Sequence, residues 1–337
     1  MAVTLADVAR LAGVSPATVS RVINDSAKKV NEDLRERVLA AVAQLHYVPN
    51  AHAQHVARPR YAAVGVIVHD VSDPYFAEIT RGLQRQAADH GRLLVICNSY
   101  REPERELAYV ALLRAQQVHA LILAGSGYHD DAFTDRLNAE LSAYQHSGGR
   151  VAVIGRHRLV GSAVLPANEA GAYALGLRIL GQGHRRVGVI AGPRTLTTTT
   201  DRLTGFRRAF AEAGVEPRVM HADFTRDGGV EATAALLDAD PAPTVIVALN
   251  DSMAVGALAT LRECGVRVPD DISVTGFDDM PIARDVTPAL TTVRLPLVEM
   301  GERAMALALG EDQGPRTEPA EATIVWRLSC APPASRV

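Results

Sequence analysis

From residue 62 onward the chain repeats one pattern: a short, nearly uninterrupted apolar run, then a longer stretch in which apolar residues recur at helical spacing. The runs "AAVGVIV" (62–68), "LLVICNS" (93–99), "ALILAG" (120–125) and "VAVIG" (151–155) predict buried strands. Between them, segments such as "YFAEITRGLQRQAADHG" carry a helical period and close on glycine. Strand–helix–strand alternation with continuously apolar strands predicts parallel sheets covered on both faces.

The pattern then recurs in register. Gly65, Gly82 and Gly91 return as Gly188, Gly205 and Gly214, a shift of 123 residues, and "VGVI" at 64–67 returns at 187–190. The same shift carries strand 120–125 onto "PTVIVA" and strand 151–155 onto "VTGFD". Coincidence among Val- and Gly-rich strands does not account for that many matches in one register, so two similarly folded α/β halves are expected. Paired halves leave a cleft between them, which is where small ligands bind.

The first 45 residues have a different period. Thr4-Leu5-Ala6-Asp7 has the form of a capping box, and Gly13 stands where a first helix would end. Ser15 followed by Pro16 opens a second helix, and Asn31 opens a third whose Leu34, Val38, Val42 and Leu45 share a face. The next segment, "YVPNAHAQHVARPR", is bounded by prolines and offers about eight helical residues, too few to be stable alone in water. In the second helix Val19, Val22 and Ile23 form the buried side, leaving Pro16, Ala17, Thr18, Ser20 and Arg21 outward. Two readings fit. One is a helix-turn-helix whose second helix enters the DNA major groove, with Arg21 on a guanine edge and Ser15, Thr18 and Ser20 on phosphates. The other is a small solvated hairpin.

Charge distribution favours the first. The net charge of the 337 residues is −3, yet residues 1–60 hold eight Lys or Arg against five Asp or Glu, leaving the excess of acid to the remainder. A basic head on an acidic body suits an anion-binding module joined to a ligand domain. The 47% apolar and 22% charged content is that of a globular protein, and no apolar run reaches the roughly 18 residues that span a bilayer. Asp7 and Arg10 interrupt the N-terminal apolar stretch, so no secretory signal is expected there. Cys97, Cys264 and Cys330 are scattered and lack metal-ligand spacing, which fits a reducing, cytoplasmic setting.

The motifs "TLADVARLAGVSPATVSRVIN", "YVPN", "VGVIV…DPYFAEI", "GHRRVGVIAGP", "DRLTGF", "LNDSMAVGAL", "VPDDISVTGFDD" and "PALTTVRLP" together resemble the LacI/GalR family of bacterial transcription regulators, over residues 3 to about 332. The resemblance implies an all-α helix-turn-helix head (1–48), a hinge helix and linker (49–60), and a periplasmic-binding-protein-like body (61–337) of two doubly wound parallel-sheet subdomains. The first of these subdomains is expected over about 61–160 plus 291–320, the second over about 161–290 plus 321–337. It implies a dimeric, ligand-controlled regulator of double-stranded DNA with a pseudo-palindromic operator, not an enzyme. Matched position by position, Pro16, Ala17 and Arg21 read bases. Thr4, Ser15, Thr18, Ser20, Asn24 and Tyr47 complete the head's DNA surface. Asn50, His52, Ala53 and Val56 fall on a hinge that enters the minor groove. Asp73, Tyr75, Phe76, Thr198, Arg202, Phe224, Asn250 and Asp278 are expected around the effector. Asp278 and Asn250 also close apolar strands, where doubly wound sheets place ligands. An Arg, an Asp and an Asn can bond vicinal hydroxyls while Phe76 or Phe224 lies against a sugar ring. Taken singly, Asp278 or Asn250 is as readily a turn or helix cap, and Phe76 a core residue.

Departures refine the expectation. Val56 replaces the Leu that usually wedges between operator base pairs, Ala167-Asn168 replaces an Asp-Asn pair, and His119 replaces an Asp. Leu196 stands where purine-responsive relatives carry Arg, which points to a sugar effector over a nucleoside. The tail "APPASRV" lacks leucine heptads, so a homodimer is expected rather than a tetramer. His52 and His55 have no third partner nearby, and no phosphate loop, HExxH or GxSxG occurs; neither metal nor cofactor is expected. Asp278 and Asp279, adjacent on one strand, should point to opposite faces.

Overall fold

The structure is a computed structural model that describes residues 3–23, 30–47, 63–238, 241–310 and 314–334. It divides into two compact units, 1–62 and 63–337.

In the first unit local hydrogen bonding sets the ends of each helix. Helix Leu5–Ala12 is opened by Thr4, whose Oγ1 accepts the Asp7 N–H at 3.3 Å while the Asp7 carboxylate accepts the Thr4 N–H at 2.9 Å. It ends at Gly13, held at φ 66, where a side chain would be strained. Helix Pro16–Ile23 begins under Ser15 Oγ, which accepts the Thr18 N–H at 3.1 Å, and Asn31 caps helix Glu32–Gln44 through the Asp33 N–H. Val8, Ala9, Ala12, Val19, Val22, Val38 and Ala41 form its core, with Val42, Leu45 and Tyr47 packed against it. Arg37 ties the third helix to the end of the first by donating to the Ala12 carbonyl at 2.6 Å. The expected hinge and linker, with Asn50, His52, Ala53 and Val56, and also Asn24, lie outside the described residues.

The second unit holds two parallel sheets. The first contains β1 (Val64–Val68), β2 (Leu94–Asn98), β3 (Ala120–Ala124), β4 (Arg150–Ile154), β5 (Ser162–Pro166) and β11 (Thr317–Ala320), in the order β11-β5-β4-β3-β1-β2. The second contains β6 (Val187–Ala191), β7 (Arg218–His221), β8 (Val245–Ala248) and β9 (Ser273–Thr275), in the order β7-β6-β8-β9. The spatial order β2-β1-β3-β4 thus recurs as β7-β6-β8-β9. Packing repeats with it: the face of Gly65 is filled by Leu113, and that of Gly188 by Leu236, again 123 residues on. Two short strands, β10 (Thr292–Arg294) and β12 (Thr323–Val325), pair antiparallel where the chain passes between the halves.

Two expectations need correction. The first half does not end near residue 160: β5 pairs with β4 and β11, so this half runs to Pro166 before the crossover. Strand 93–99 is not buried, since β2 is the sheet edge, with Leu93 73% exposed and Val95 and Ile96 also open. Apolar composition marked it as a strand, but only the strand order determines that one flank has no neighbour.

Candidate effector cleft and DNA-reading helix

The carboxyl ends of the parallel strands converge on one cavity of about 370 Å³, its open mouth included. Asp73, Tyr75, Phe76, Thr198, Arg202, Phe224, Asn250 and Asp278 all line it. His69, Arg101, Gly125 and Ser126 line it too, although no motif drew attention to them. The available signal was positional. His69 and Ser126 follow the ends of β1 and β3, where doubly wound sheets hold ligands, and Arg101 lies 123 residues before Phe224.

Arg202 and Asp278 form the polar centre. Arg202 sits on helix Thr197–Glu212, almost fully buried; its Nη2 donates to Asp278 Oδ1 at 2.7 Å and its Nη1 to Oδ2 at 3.3 Å. Its Nε–H donates to Asn168 Oδ1 at 2.9 Å, its Nη1 also reaches the Leu249 carbonyl, and its guanidinium lies 3.9 Å over the Phe277 ring. One Nη2 N–H of its five donors is left over for a ligand. In this arrangement the Arg202 fork holds Asp278. Burial pushes the Asp278 carboxyl up to about 6, against the pull of Arg202. Asp278 sits at φ 109 and Asp279 at φ 54, left-handed conformations that cost energy in non-glycine residues. Asp251 holds this turn from behind by accepting the Met280 N–H at 2.7 Å and the Thr292 hydroxyl at 2.6 Å. Asp279 faces the other way, onto Arg294 at 2.7 Å and Arg327 at 2.6 Å.

The other polar groups bridge or cap. Ser126 Oγ donates to Thr198 Oγ1 at 2.8 Å, joining the halves across the cleft, and Arg156 pairs with Asp201 beside it. Asn250 is both cap and lining: its Oδ1 accepts the Met253 N–H at 2.8 Å and its Nδ2 faces the Phe224 carbonyl at 3.5 Å. Asp73 caps helix Pro74–Asp89 through the Tyr75 N–H, and burial raises its carboxyl above the ordinary value.

Behind the first half's wall lies a buried network. The Ser126 N–H donates to His69 Nε2 at 3.1 Å, which leaves the proton of the neutral ring on Nδ1, 3.3 Å from Ser99 Oγ. Glu106 Oε1 accepts from Ser99 Oγ at 3.1 Å and from the Tyr128 hydroxyl at 2.9 Å. Burial drives His69 well below its usual value and lifts Glu106 to about 7. Phe76, 3% exposed, meets the His69 ring edge-on at 5.5 Å, so it is floor as well as lining. A Cβ on Gly125 (φ 130) would strike the His69 ring, so that turn requires glycine, and one on Gly192 would overlap the Phe224 ring.

In the head, Pro16, Ala17 and Arg21 are exposed on helix Pro16–Ile23, and Arg21 makes no hydrogen bond or ion pair among the described residues. Thr18 and Ser20 are half-buried on its flanks. Thr4 and Ser15 already serve as caps, Thr4 Oγ1 donating to Asp7 at 2.6 Å and Ser15 Oγ lying 2.9 Å from Thr18 Oγ1. Tyr47 is half-buried against the head core. Among the described residues no cluster of three metal-capable side chains occurs, and no helix is long and apolar enough to cross a membrane.

A capped helix-turn-helix on one unit and a two-sheet cleft on the other define a ligand-binding DNA regulator. Residues 4–50 match the bacterial regulatory proteins of the lacI family, and residues 178–330 match a periplasmic binding protein-like domain. The chain is 38% identical over 316 residues to the HTH-type transcriptional regulator GalS of Salmonella typhimurium strain LT2, covering 91% of this chain and 89% of that one. A crystal structure of the lac repressor dimer bound to operator and the anti-inducer ONPF superposes with a TM-score of 0.85 at 27% identity, covering 98% of this chain and all of the other. The structure of a transcriptional regulator CelR–cellobiose complex superposes with a TM-score of 0.70 at 31% identity, covering 97% and 99%. The chain belongs to the LacI family of bacterial transcriptional regulators. It is a DNA-binding regulator answering to a small effector, and not an enzyme.

Proposed function

We propose that the protein is a cytoplasmic, homodimeric repressor whose affinity for its operator is set by a sugar or sugar derivative in the 370 Å³ cleft. The observation that carries this reading is the pairing of two aromatic side chains, Phe76 and Phe224, with polar groups at Ser126, Thr198, Asn250, Arg202 and Asp278 in one cavity. Apolar ring faces stack on the former while hydroxyls bond the latter. Leu196, 1% exposed and bridged to Tyr128, offers no charged group to a purine. Pro16, Ala17 and Arg21 read bases, with phosphates held by Ser15, Thr18 and Ser20. Residues 1–48 supply this DNA module, 49–60 the hinge and 61–337 the effector-binding and dimerising body.

The effector favours one relative orientation of the two halves, and that shift moves the paired hinges together or apart. Ordering the hinges costs entropy that a correctly spaced operator offsets. The test is fluorescence anisotropy on the protein's own upstream DNA, titrated with sugars, sugar phosphates and nucleosides. A sugar that shifts the apparent affinity tenfold or more, about 1.4 kcal/mol of coupling, supports the reading. A response to nucleosides alone replaces the sugar assignment, and DNA binding that ignores the whole panel removes it.

A further inference from the structure

We infer that Arg101 reads an anionic group on the effector, so that the ligand is a sugar acid or sugar phosphate rather than a neutral sugar. The inference rests on the cleft being the effector site. Arg101 follows β2, and both it and Tyr100 adopt left-handed backbone conformations, at φ 60 and 52. Strain of that kind in consecutive non-glycine residues persists where surrounding structure fixes it, and here it accompanies a side chain that lines the cavity. The Arg101 guanidinium lies 5.9 Å from the Phe224 ring centre, and the two residues occupy equivalent positions in the two halves, 123 residues apart. Its Nε is buried with no hydrogen-bond partner, and Arg101 makes no ion pair among the described residues.

The surrounding charges leave it without an ion pair, although the Asp73 carboxyl feels the Arg101 charge, which favours its ionised form. Asp278 is committed to Arg202 at 2.7 Å. Asp73 shares the cavity, but it accepts the Tyr75 N–H and is not within ion-pair distance of Arg101. Neighbouring Glu102 is paired with Arg105. A half-buried guanidinium beside an aromatic ring, with no carboxylate within ion-pair distance, offers its Nη donors to the charged oxygens of a carboxylate or phosphate. A neutral hydroxyl would fill one donor and leave the charge uncompensated.

The test is isothermal titration of the full chain with galactose, galacturonate and galactose 6-phosphate, and with the corresponding glucose and ribose sets. Wild type should bind one anionic member at least tenfold more tightly than its neutral parent. Arg101→Gln should abolish that preference and Arg101→Lys should keep part of it, each with a melting temperature close to wild type. Whether carboxylate or phosphate wins identifies the source of the charge. Equal affinity for neutral and charged partners, no binding of any anionic member, or an Arg101→Gln affinity within twofold of wild type overturns the inference. Phe76→Ala separates the two readings. Neutral-sugar binding that Phe76→Ala abolishes, without any anion preference, leaves the cleft assignment standing and removes only the role of Arg101. Binding indifferent to both substitutions removes both.

Discussion

Arg202 Nη2 and Asp278 Oδ1 lie 2.7 Å apart at the base of the cleft, with both side chains 3% exposed. A pair this buried is a poor source of net stability, because desolvation offsets most of the attraction, but removing one partner leaves an uncompensated charge. Arg202→Ala or Asp278→Ala should therefore each lower unfolding free energy by about 3–5 kcal/mol, measured by urea denaturation. Arg202→Met combined with Asp278→Leu should recover only part of that loss, because Asn168 Oδ1 and the Leu249 carbonyl lose their donor, and should leave DNA binding deaf to the effector. An effector response that survives in the double variant would show that the pair is scaffolding.

The pH dependence of stability should carry the mark of Glu106. Burial raises this carboxyl from an ordinary 4.5 to about 7, against the hydroxyls of Tyr128 and Ser99 that hold its charged form. Neighbouring His69 is itself driven toward neutrality by burial, with the Arg101 charge adding to the effect. Because the folded state holds the Glu106 proton more tightly, the group favours folding below about pH 4.5, and that contribution is lost as pH rises to about 7. Glu106→Gln cannot ionise. Relative to wild type it should gain stability between pH 5 and 8, by at most about 3 kcal/mol, in paired denaturation curves. A constant difference across that range would mean that the carboxyl titrates normally.

Much of this architecture is legible in sequence because it is local or periodic. The caps at Thr4, Ser15 and Asn31 depend on residues two or three positions away, and the 123-residue repeat locates equivalent strand ends in both halves. Among the cleft side chains, Asn250 and Asp278 follow from those strand ends, and the others come from the family resemblance. What stayed hidden depends on contacts between distant segments. That Arg202 spends its donors on Asn168, Leu249 and Asp278 is a fact about four chain segments meeting, and no spacing encodes it. The edge position of β2 and the pairing of β5 with β11 likewise follow from sheet order. No motif marks Arg101, which lines the cavity through a left-handed turn of the backbone after β2.

In the head, Arg21 is exposed on helix Pro16–Ile23 beside Pro16 and Ala17. A guanidinium that meets a guanine edge contributes to discrimination, whereas one on phosphate contributes to affinity everywhere. Arg21→Ala should weaken operator binding by about 1–3 kcal/mol and erase the preference over scrambled DNA. The residual binding should remain weak and fall steeply with salt. Equal losses on operator and scrambled duplex would reassign Arg21 to the backbone.

In the proposed hinge, Val56, which lies outside the described residues, would set how far the operator is bent. The Leu usual at this hinge position reaches one methylene further and turns more freely about χ1. At about 0.8 kcal/mol per buried methylene and two hinges per dimer, Val56→Leu should tighten operator binding by about 1–2 kcal/mol, close to tenfold. The gain should be largest when the central step is a flexible pyrimidine–purine pair and should shrink when a stiff A-tract replaces it, since the added reach acts by opening that step. Anisotropy titrations on the two duplexes measure both quantities. A uniform gain on flexible and stiff centres would mean that residue 56 packs against the groove without wedging it, and that this regulator binds its operator without a central kink.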